Sequence, residues 1–289
     1  MPFWLGTAIV FVYGTVVGSF LNVCICRMPN DESVIKPPSH CPKCGTRLKA
    51  VDLVPLISFL ALGRKCRYCG APIGWRYFIV ELTTGLVFVA LYAKYQFRPD
   101  FFAFALFSAA LIAVFFIDLD HWIIPDQLSI FGIGVGVVRD VYGLVVGEPG
   151  HSVLYVRIPF TAAHVPMLWS IAGLVICGAV FYAIAVLGEL AFKKEAMGGG
   201  DIKLAAAVGA VFAGSVTTWL GIGLALLSFF VAVFVGSVIG IGMKIARRGE
   251  RKESYLPFGP MMVIGVLVTV FLGNQIISAY LAYLHRGGM

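Results

Sequence analysis

Charged residues are scarce in this chain of 289 residues, at 13% of the total, whereas soluble proteins average about a quarter. Hydrophobic residues make up 60%, and the mean hydropathy is +0.92. This composition excludes an ordinary soluble fold and predicts a polytopic membrane protein. A small-residue cleavage site is also missing after the first apolar run, so we expect that run to be a transmembrane helix and not a removable signal.

Long apolar runs dominate the rest of the chain, and each is close to the ~20 residues that a helix needs to cross a bilayer. We place eight of them at roughly 3–26, 78–97, 101–118, 127–147, 166–192, 202–218, 220–244 and 258–284. The fourth is the least well defined, because Arg139 and Asp140 fall inside it and are expected to mark an early end. The prediction is an all-α membrane protein with about eight transmembrane helices.

The net charge of +7 reflects loop positions more than a binding surface. No basic helix with interleaved aromatic residues is evident, so we expect no nucleic-acid partner. Lys and Arg are concentrated in 27–77, 193–203 and 244–252, with seventeen residues there against five in the remaining loops. Because cytoplasmic loops carry the excess of Lys and Arg, this bias predicts a cytoplasmic position for the long first loop.

Two acidic residues stand out at the ends of apolar runs on that same predicted side. Asp118 ends the third run, where the helix dipole disfavours a carboxylate and nothing local explains one. Asp201 begins the sixth run after Gly198, Gly199 and Gly200, and the dipole there favours a negative charge. Glycine permits positive φ and the close approach of another backbone, so we expect these three residues to bind an extended peptide.

The pair of acids predicts one type of chemistry. Two carboxylates in a site of low dielectric share a proton, as in aspartic proteases. Asp201 would take a proton from water as that water attacks a peptide carbonyl, and Asp118 would hydrogen-bond the carbonyl oxygen. The five histidines are scattered, and no Ser–His or Cys–His pairing competes. Other acids have simpler interpretations, with Asp126 as a helix N-cap and Asp120 in a solvated turn.

Cysteine is found in two settings. Three cysteines lie in apolar runs and are expected to be small buried hydrophobic residues. The other four form two C-x2-C pairs in the first loop, and this spacing predicts a four-thiolate zinc site on Cys41, Cys44, Cys66 and Cys69. Four protein ligands leave no open position on the metal. The zinc is therefore expected to be structural, holding together a cytoplasmic loop too short to build a core.

The order of motifs resembles that of bacterial prepilin peptidases, the bifunctional leader peptidases and N-methyltransferases of type IV pilus and type II secretion systems. The motifs are GSFLNVCICRMP (18–29), IGWRYFIVELTTG (73–85), IDLDHWIIPD (117–126), GGGDIKL (198–204) and PFGP (257–260). The family is a group of membrane aspartyl proteases of the Gly-x-Gly-Asp type. The resemblance implies that Asp118 and Asp201 are the catalytic pair and that Gly198, Gly199, Gly200 and Lys203 contact substrate.

The resemblance also implies partners, cofactors and location. The expected substrates are type IV prepilins or pseudopilins, cut after a glycine at the cytoplasmic face of the bacterial inner membrane. Methylation of the new N-terminal amine would use S-adenosylmethionine, with Glu81 and the segment NVCICRMP as candidates for its site. No Gly-x-Gly-x-x-Gly follows a strand, so methylation depends on the resemblance alone. The stretch 148–165 is long for the family and is interpreted as an insertion on the outer side.

These features predict a first transmembrane helix at 1–26, a cytoplasmic zinc loop at 27–77 and a transmembrane protease core at 78–289. Two other classes remain open. Intramembrane acids and glycine-broken helices also occur in transporters and channels, although a four-cysteine loop fits those less well. A non-enzymatic scaffold of a secretion machine is the third alternative. Incubation with a pilin precursor separates them, because only a peptidase cleaves it.

Overall fold

The computed structural model describes residues 2–157, 164–193, 197–246 and 257–287. Helices account for most of this part of the chain, as predicted. They are α1 (Phe3–Arg27), α2 (Ile57–Ala61), α3 (Trp75–Tyr95), α4 (Pro99–His121), α5 (Asp126–Val146), α6 (Trp169–Phe192), α7 (Gly199–Ser215), α8 (Trp219–Ala246) and α9 (Phe258–Gly287). A small antiparallel pair of strands, β1 (Leu154–Arg157) and β2 (His164–Met167), was not predicted. β1 lies in the stretch interpreted as an insertion, and β2 extends from the end of that stretch into residues 166 and 167, which were predicted to begin the fifth apolar run.

Seven of the helices in the described ranges are long and apolar enough to cross a membrane, so the chain is a multi-pass membrane protein. The remaining predicted run, the sixth in chain order, is α7, which has 17 residues and begins three residues before its predicted start. Its length is about 25 Å at 1.5 Å per residue, slightly less than the ~30 Å hydrocarbon core. The start differs because Gly198, and not Asp201, is the N-cap.

Helix α5 corrects the expectation of an early end at Arg139 and Asp140, because it continues to Val146. Both charged side chains are buried and have partners. Arg139 pairs with Glu148 at 2.8 Å. Asp140 accepts the Ser170 backbone N–H at 2.7 Å and lies 3.2 Å from the His151 ring. Paired and hydrogen-bonded charges are tolerated inside a protein, so this pair does not interrupt the helix.

The chain divides into two compact units, Met1–Ile123 and Ile124–Met289. In the first unit, α1 and α3 pack antiparallel through small residues. A Cβ atom added to Gly14 would lie 2.9 Å from the Cα atom of Gly85, and one added to Gly18 would lie 2.7 Å from that of Glu81. Helix α4 completes the unit and is its most buried span. The boundaries predicted at residues 26 and 77 stay a prediction.

In the second unit, α7 is the buried helix between α5 and α6. A Cβ atom on Gly136 of α5 would lie 2.5 Å from the Ala210 carbonyl carbon. A Cβ atom on Gly173 of α6 would overlap the carbonyl oxygen of Gly209, and one on Gly209 would lie 2.8 Å from the Cys177 Cβ atom. Small residues at such contacts let membrane helices approach closely and gain van der Waals packing. This packing fixes the helix that carries Asp201.

Candidate functional site

Asp118 lies in the last turn of α4, in the first unit, and only 6% of its surface is exposed. The helix ends at His121, and Trp122 adopts the left-handed conformation, with φ of 61°. The Trp122 backbone N–H donates to the carbonyl oxygen of Asp118 at 3.0 Å. Asp118 is therefore a buried carboxylic acid near a capped helix C-terminus, which is the environment that the sequence predicted.

The next acid along α4 was expected in a solvated turn, but it forms an ion pair. The Arg76 guanidinium, from the first turn of α3, donates to the Asp120 carboxylate, and both side chains are about one-third exposed. A second nitrogen of Arg76 donates to the Cys26 sulfur at 3.4 Å. The Arg76 side chain therefore connects the end of α4, after Asp118, to the start of α3 and the end of α1.

Asp201 lies in the first turn of α7, in the second unit, and is partly buried. Its backbone N–H donates to the carbonyl oxygen of Gly198 at 3.1 Å. Gly199 and Gly200 are already helical, and none of the three glycines has a positive φ. The expectation that these glycines adopt a left-handed conformation is therefore wrong. The reason for glycine at these positions has to be the space around each residue.

That space differs between the glycines. Among the described residues, a Cβ atom on Gly199 would meet no atom within 4 Å, whereas one on Gly200 would lie 3.0 Å from the Cβ atom of Ile124. Gly200 therefore permits a close approach, as predicted, but the neighbour is a residue of this chain, just before α5. Gly199 presents an open backbone surface beside Asp201.

Lys203 binds a neighbouring helix. Its ammonium donates to both carboxylate oxygens of Asp126, at 2.8 and 2.6 Å, and both side chains are about half exposed. Asp126 is the first residue of α5, whose N-cap is Pro125, so the predicted capping role for Asp126 is wrong. The ion pair places the N-termini of α5 and α7 side by side.

The second unit thus brings together the three glycines, Asp201 and Lys203 of the predicted set. Asp118 belongs to the other unit. The action of Asp118 and Asp201 as one catalytic pair stays a prediction.

The four predicted zinc ligands lie together in the first loop. Their sulfur atoms are all within 4.8 Å of one another, and the Cys41 and Cys69 sulfurs are 3.9 Å apart. A tetrahedral zinc with Zn–S bonds of about 2.3 Å separates its sulfurs by about 3.8 Å. The four cysteines therefore fit a tetrahedral zinc ion with little movement.

The two C-x2-C segments fold in the same way, which explains the spacing. In each, the glycine after the second cysteine has φ of about 70°, namely 69° at Gly45 and 70° at Gly70. Each glycine N–H donates to the carbonyl oxygen of the first cysteine, at 2.8 and 2.9 Å. The left-handed turn needs glycine because a side chain there is strained. Each turn directs two thiols towards one point.

Local hydrogen bonds favour the metal-binding form of two of these thiols. Hydrogen bonds from the Thr46 side chain and backbone lower the pKa of Cys44 to about 6. Backbone N–H groups, that of Tyr68 first, lower the pKa of Cys66. The thiolate is the form that binds zinc, so these contacts prepare the loop for the ion.

Sequence reasoning missed the residue that braces the loop. Asp52 accepts hydrogen bonds from Arg67 at 2.6 Å and from the Tyr68 hydroxyl at 2.8 Å. The Arg67 guanidinium holds the pKa of this carboxyl below its usual range. These contacts join the segment 49–53 to the second cysteine pair. No motif in the local sequence predicts them.

Two sequence profiles match the chain. That of the Bacterial Peptidase A24 N-terminal domain matches residues 12–95, and that of the Type IV leader peptidase family matches residues 105–241. The first contains the four cysteines, and the second contains both predicted catalytic acids. The profile boundary falls near the start of α4.

Curated relatives cover most of the chain. A prepilin leader peptidase/N-methyltransferase of Aeromonas hydrophila is 31% identical over 96% of this chain and 94% of its own length. Its counterpart in Bacillus subtilis is 30% identical over 95% of this chain and 97% of its own length. The Myxococcus xanthus protein of the same name is 35% identical over 84% of this chain, which spans 65% of that relative. No solved structure matches the chain.

Proposed function

The chain belongs to the Type IV leader peptidase family, and we propose that it is a membrane aspartyl endopeptidase that removes the leader from type IV prepilins or pseudopilins. The observation that carries this proposal is the position of the two acids. Asp118 lies in the last turn of α4 and Asp201 in the first turn of α7. The dipoles at these helix ends favour opposite protonation states, which an acid–base pair requires.

In the proposed reaction, the ionised Asp201 takes a proton from water as the water oxygen attacks the scissile carbonyl carbon. The protonated Asp118 donates a hydrogen bond to the carbonyl oxygen and stabilises the developing negative charge. When the tetrahedral intermediate collapses, the C–N bond breaks and the leaving nitrogen takes a proton from the pair. The products are the leader with a free carboxylate and the pilin with a free N-terminal amine.

Substrate approaches along the open face of the α7 N-terminus in this proposal. A peptide bond inside a helix has its carbonyl hydrogen-bonded within that helix, so the cleaved bond has to be extended. No atom of the described part of the chain lies within 4 Å of a Cβ position on Gly199, so the backbone of Gly199 is open to a substrate. The acid, the glycines and Lys203 then face the junction between leader and pilin, at the cytoplasmic surface of the inner membrane. The distribution of Lys and Arg supports the cytoplasmic side.

Zinc has a structural role in the proposed enzyme. Cys41, Cys44, Cys66 and Cys69 would hold it with four thiolates, and no reaction step passes through it. The loop is joined to α3 by aromatic and cation–π contacts. Phe59 packs against Trp75 with ring centroids 5.5 Å apart, and the Arg64 guanidinium lies 4.6 Å from the Trp75 ring centroid. The ion therefore stabilises the loop on the unit that carries Asp118.

The relatives' shared name includes N-methyltransferase, and we extend the proposal to methylation of the new amine with S-adenosylmethionine. When bound, this cofactor supplies an electrophilic methyl group. Its sulfonium and ammonium groups would interact favourably with acceptor oxygens that form no ion pair with a Lys or Arg. Asn22 and Glu81 of the first unit provide two such buried acceptors, so the residues present fit a cationic ligand.

The deciding experiment incubates the purified full-length protein with a pilin precursor. We expect cleavage after the leader glycine, seen by mass spectrometry, and a loss of at least about 10³-fold in Asp118→Asn or Asp201→Asn. Asp31→Asn, an exposed acid of the first unit, is the matched control and should cleave at the parent rate.

The alternatives give other results. Ion flux in liposomes without cleavage would indicate a transporter, and binding of the precursor without cleavage or flux would indicate a scaffold. Full activity in either single variant would exclude the acid pair as the catalytic centre.

A further inference from the structure

A polar cluster lies at the seam between α1 and α3 in the first unit. Gly18 of α1 faces Glu81, and Asn22, one turn further along α1, faces Tyr77, one turn earlier on α3. The Asn22 side-chain amide donates to the Tyr77 carbonyl oxygen at 3.1 Å. The two helices run antiparallel, so Asn22 and Glu81 occupy neighbouring levels of the seam, four residues or about 6 Å apart along the helix axes.

Asn22 carries an acceptor that the protein does not use. It is only 4% exposed, and its Oδ1 atom is buried with no hydrogen-bond partner among the described residues. The hydrogen bond from its Nδ2 atom fixes which way the amide points, so the free atom is the oxygen. A buried oxygen without a hydrogen-bond donor destabilises the folded protein unless a donor reaches it. Such a cost is explained when a ligand supplies the donor.

Glu81 adds a carboxyl group to the same seam. It is 8% exposed, and its Oε2 atom accepts the Leu56 backbone N–H at 2.9 Å. The Ser19 hydroxyl provides a second neutral hydrogen bond. Within the described ranges, no Lys or Arg lies within ion-pairing distance of this carboxylate: the nearby Arg76 binds Asp120 and Cys26. A buried carboxylate held only by neutral donors attracts a cation.

We propose that Asn22 and Glu81 form a binding site for a cationic group that donates hydrogen bonds, such as a protonated amine. The inference deepens the proposed methylation and rests on it, because that reaction has two cationic participants. One is the methyl donor, with its sulfonium and α-ammonium groups. The other is the N-terminal amine of the cut pilin. Both offer the same chemistry to this pair of oxygens, and the experiment below separates them.

The site is linked to the zinc loop through Leu56, which lies between the two cysteine pairs. Leu56 has φ of 60° and caps α2, and its N–H is the donor to Glu81. A simple anchor for this N–H needs only an acceptor, which a glutamine also provides. The Glu81→Gln variant therefore separates the two roles, since it keeps an acceptor for Leu56 and removes the charge.

The first measurement uses the unmodified protein. A hydrophobic carbodiimide labels carboxyl groups, and mass spectrometry gives the labelling rate at Glu81 and at the exposed Glu32 as a control. The probes are S-adenosylmethionine, a short peptide beginning with phenylalanine, and the same peptide acetylated at its N-terminus. We expect one of the first two probes to slow labelling at Glu81 at least fivefold, with no change at Glu32 and no protection by the acetylated peptide.

Protection by S-adenosylmethionine assigns the site to the methyl donor, and protection by the free-amine peptide assigns it to the acceptor. The dissociation constant of the protecting probe should then rise at least tenfold in Glu81→Gln and stay unchanged in Glu32→Gln. Retention of zinc shows that the Glu81→Gln variant remains folded. An unchanged dissociation constant in folded Glu81→Gln would overturn the site.

The outcome for the site is distinguishable from that for the proposed function. A preparation that cleaves and methylates precursor, but in which neither probe protects Glu81, overturns the site and leaves the function standing. A preparation that does not methylate, but in which a probe protects Glu81, contradicts the methylation and supports the cation site. If neither methylation nor protection is found, both are wrong.

Discussion

Asp118 and Asp201 lie in different compact units, and the two units differ in how much polar groups add to helix packing. In the first unit, small residues line the α1–α3 seam, and polar groups add to this packing. The Arg76–Asp120 ion pair holds the segment after Asp118, and four thiols cluster in the loop between α1 and α3. In the second unit, α7 is held by glycine and alanine contacts with α5 and α6.

The difference shows two ways to hold the helix that carries an acid. Polar contacts, with a cluster of four thiols, tie down an extended loop that has little apolar area of its own, whereas close packing against α5 and α6 holds the short helix α7, with the exposed Lys203–Asp126 ion pair at its start. The first unit should therefore be sensitive to loss of metal. The second should be sensitive to added volume.

The largest effect is expected for Gly173→Ala in the second unit. The added methyl group would overlap the carbonyl oxygen of Gly209 and force α6 away from α7. Overpacking of this kind costs about 1–3 kcal/mol or more. Gly178→Ala on the same helix is the matched control, because its methyl group would lie 3.4 Å from Ala206, an ordinary contact.

Thermal unfolding in detergent measures both variants. Gly173→Ala should lower the Tm by several degrees, and Gly178→Ala should leave it unchanged or raise it, since alanine is favoured in helices by about 1 kcal/mol. Equal Tm values for the two variants would contradict the packing account of α7.

The next effect concerns the metal in the first unit. The purified protein should carry one zinc ion, and Cys41→Ser should lose most of it, because three thiolates and a hydroxyl bind zinc much more weakly. Metal analysis gives the stoichiometry, and limited proteolysis should find the loop 27–77 more readily cut. The control is Cys177→Ala, because Cys177 is a buried cysteine of the second unit. This variant should contain as much zinc as the parent protein.

The metal prediction fails if folded, unchelated protein contains almost no zinc. It also fails if Cys41→Ser retains the full amount.

A smaller, more local effect is expected at the start of α7. Gly200→Val should reduce both stability and cleavage, because the side chain meets Ile124. A Cβ atom on Gly199 meets no atom of the described residues within 4 Å, so Gly199→Val should leave the Tm nearly unchanged, yet it should lower cleavage by about tenfold if the substrate backbone occupies that open space. The value of kcat/KM, measured beside the Tm, tests the pair. Parent-like cleavage in Gly199→Val would remove Gly199 from the substrate path.

The smallest effect is expected at the Lys203–Asp126 ion pair. Exposed pairs contribute about 0–1 kcal/mol, so Lys203→Gln and Asp126→Asn should each shift the Tm only slightly. If Lys203 also contacts substrate, the KM for precursor cleavage should rise several-fold in Lys203→Gln and stay unchanged in Asp126→Asn. Identical KM values in the two variants would limit Lys203 to joining α5 and α7.

Features that depend on neighbouring residues were predictable from the sequence. The apolar runs and the C-x2-C spacing identify the long helices and the four-thiol cluster, because each pattern is set by local geometry. The environments of Asp118 and Asp201 also follow from their places at helix ends. The start of α7 was displaced by three residues, since both Gly198 and Asp201 are acceptable N-cap residues.

Contacts between distant residues were not predictable. Arg76 and Asp120 are 44 residues apart, and Lys203 and Asp126 are 77 apart, so nothing in a single sequence couples them. The same holds for Asp140, whose partners come from the loop after α5 and from α6. Without these partners, buried charges look like the end of a span. The strands β1 and β2 lay in a stretch with no clear alternation and were also missed.

The central claim is that Asp118 and Asp201 act as one catalytic pair, and a double-variant comparison tests it most directly. Residual cleavage of a pilin precursor is measured for Asp118→Asn, Asp201→Asn and the double variant, each checked for zinc content and membrane insertion. Residues that act as a unit are strongly non-additive, so the double variant should cleave within about threefold of the slower single variant. A double variant slower by the product of the two single effects would show that the acids act independently and would contradict the account.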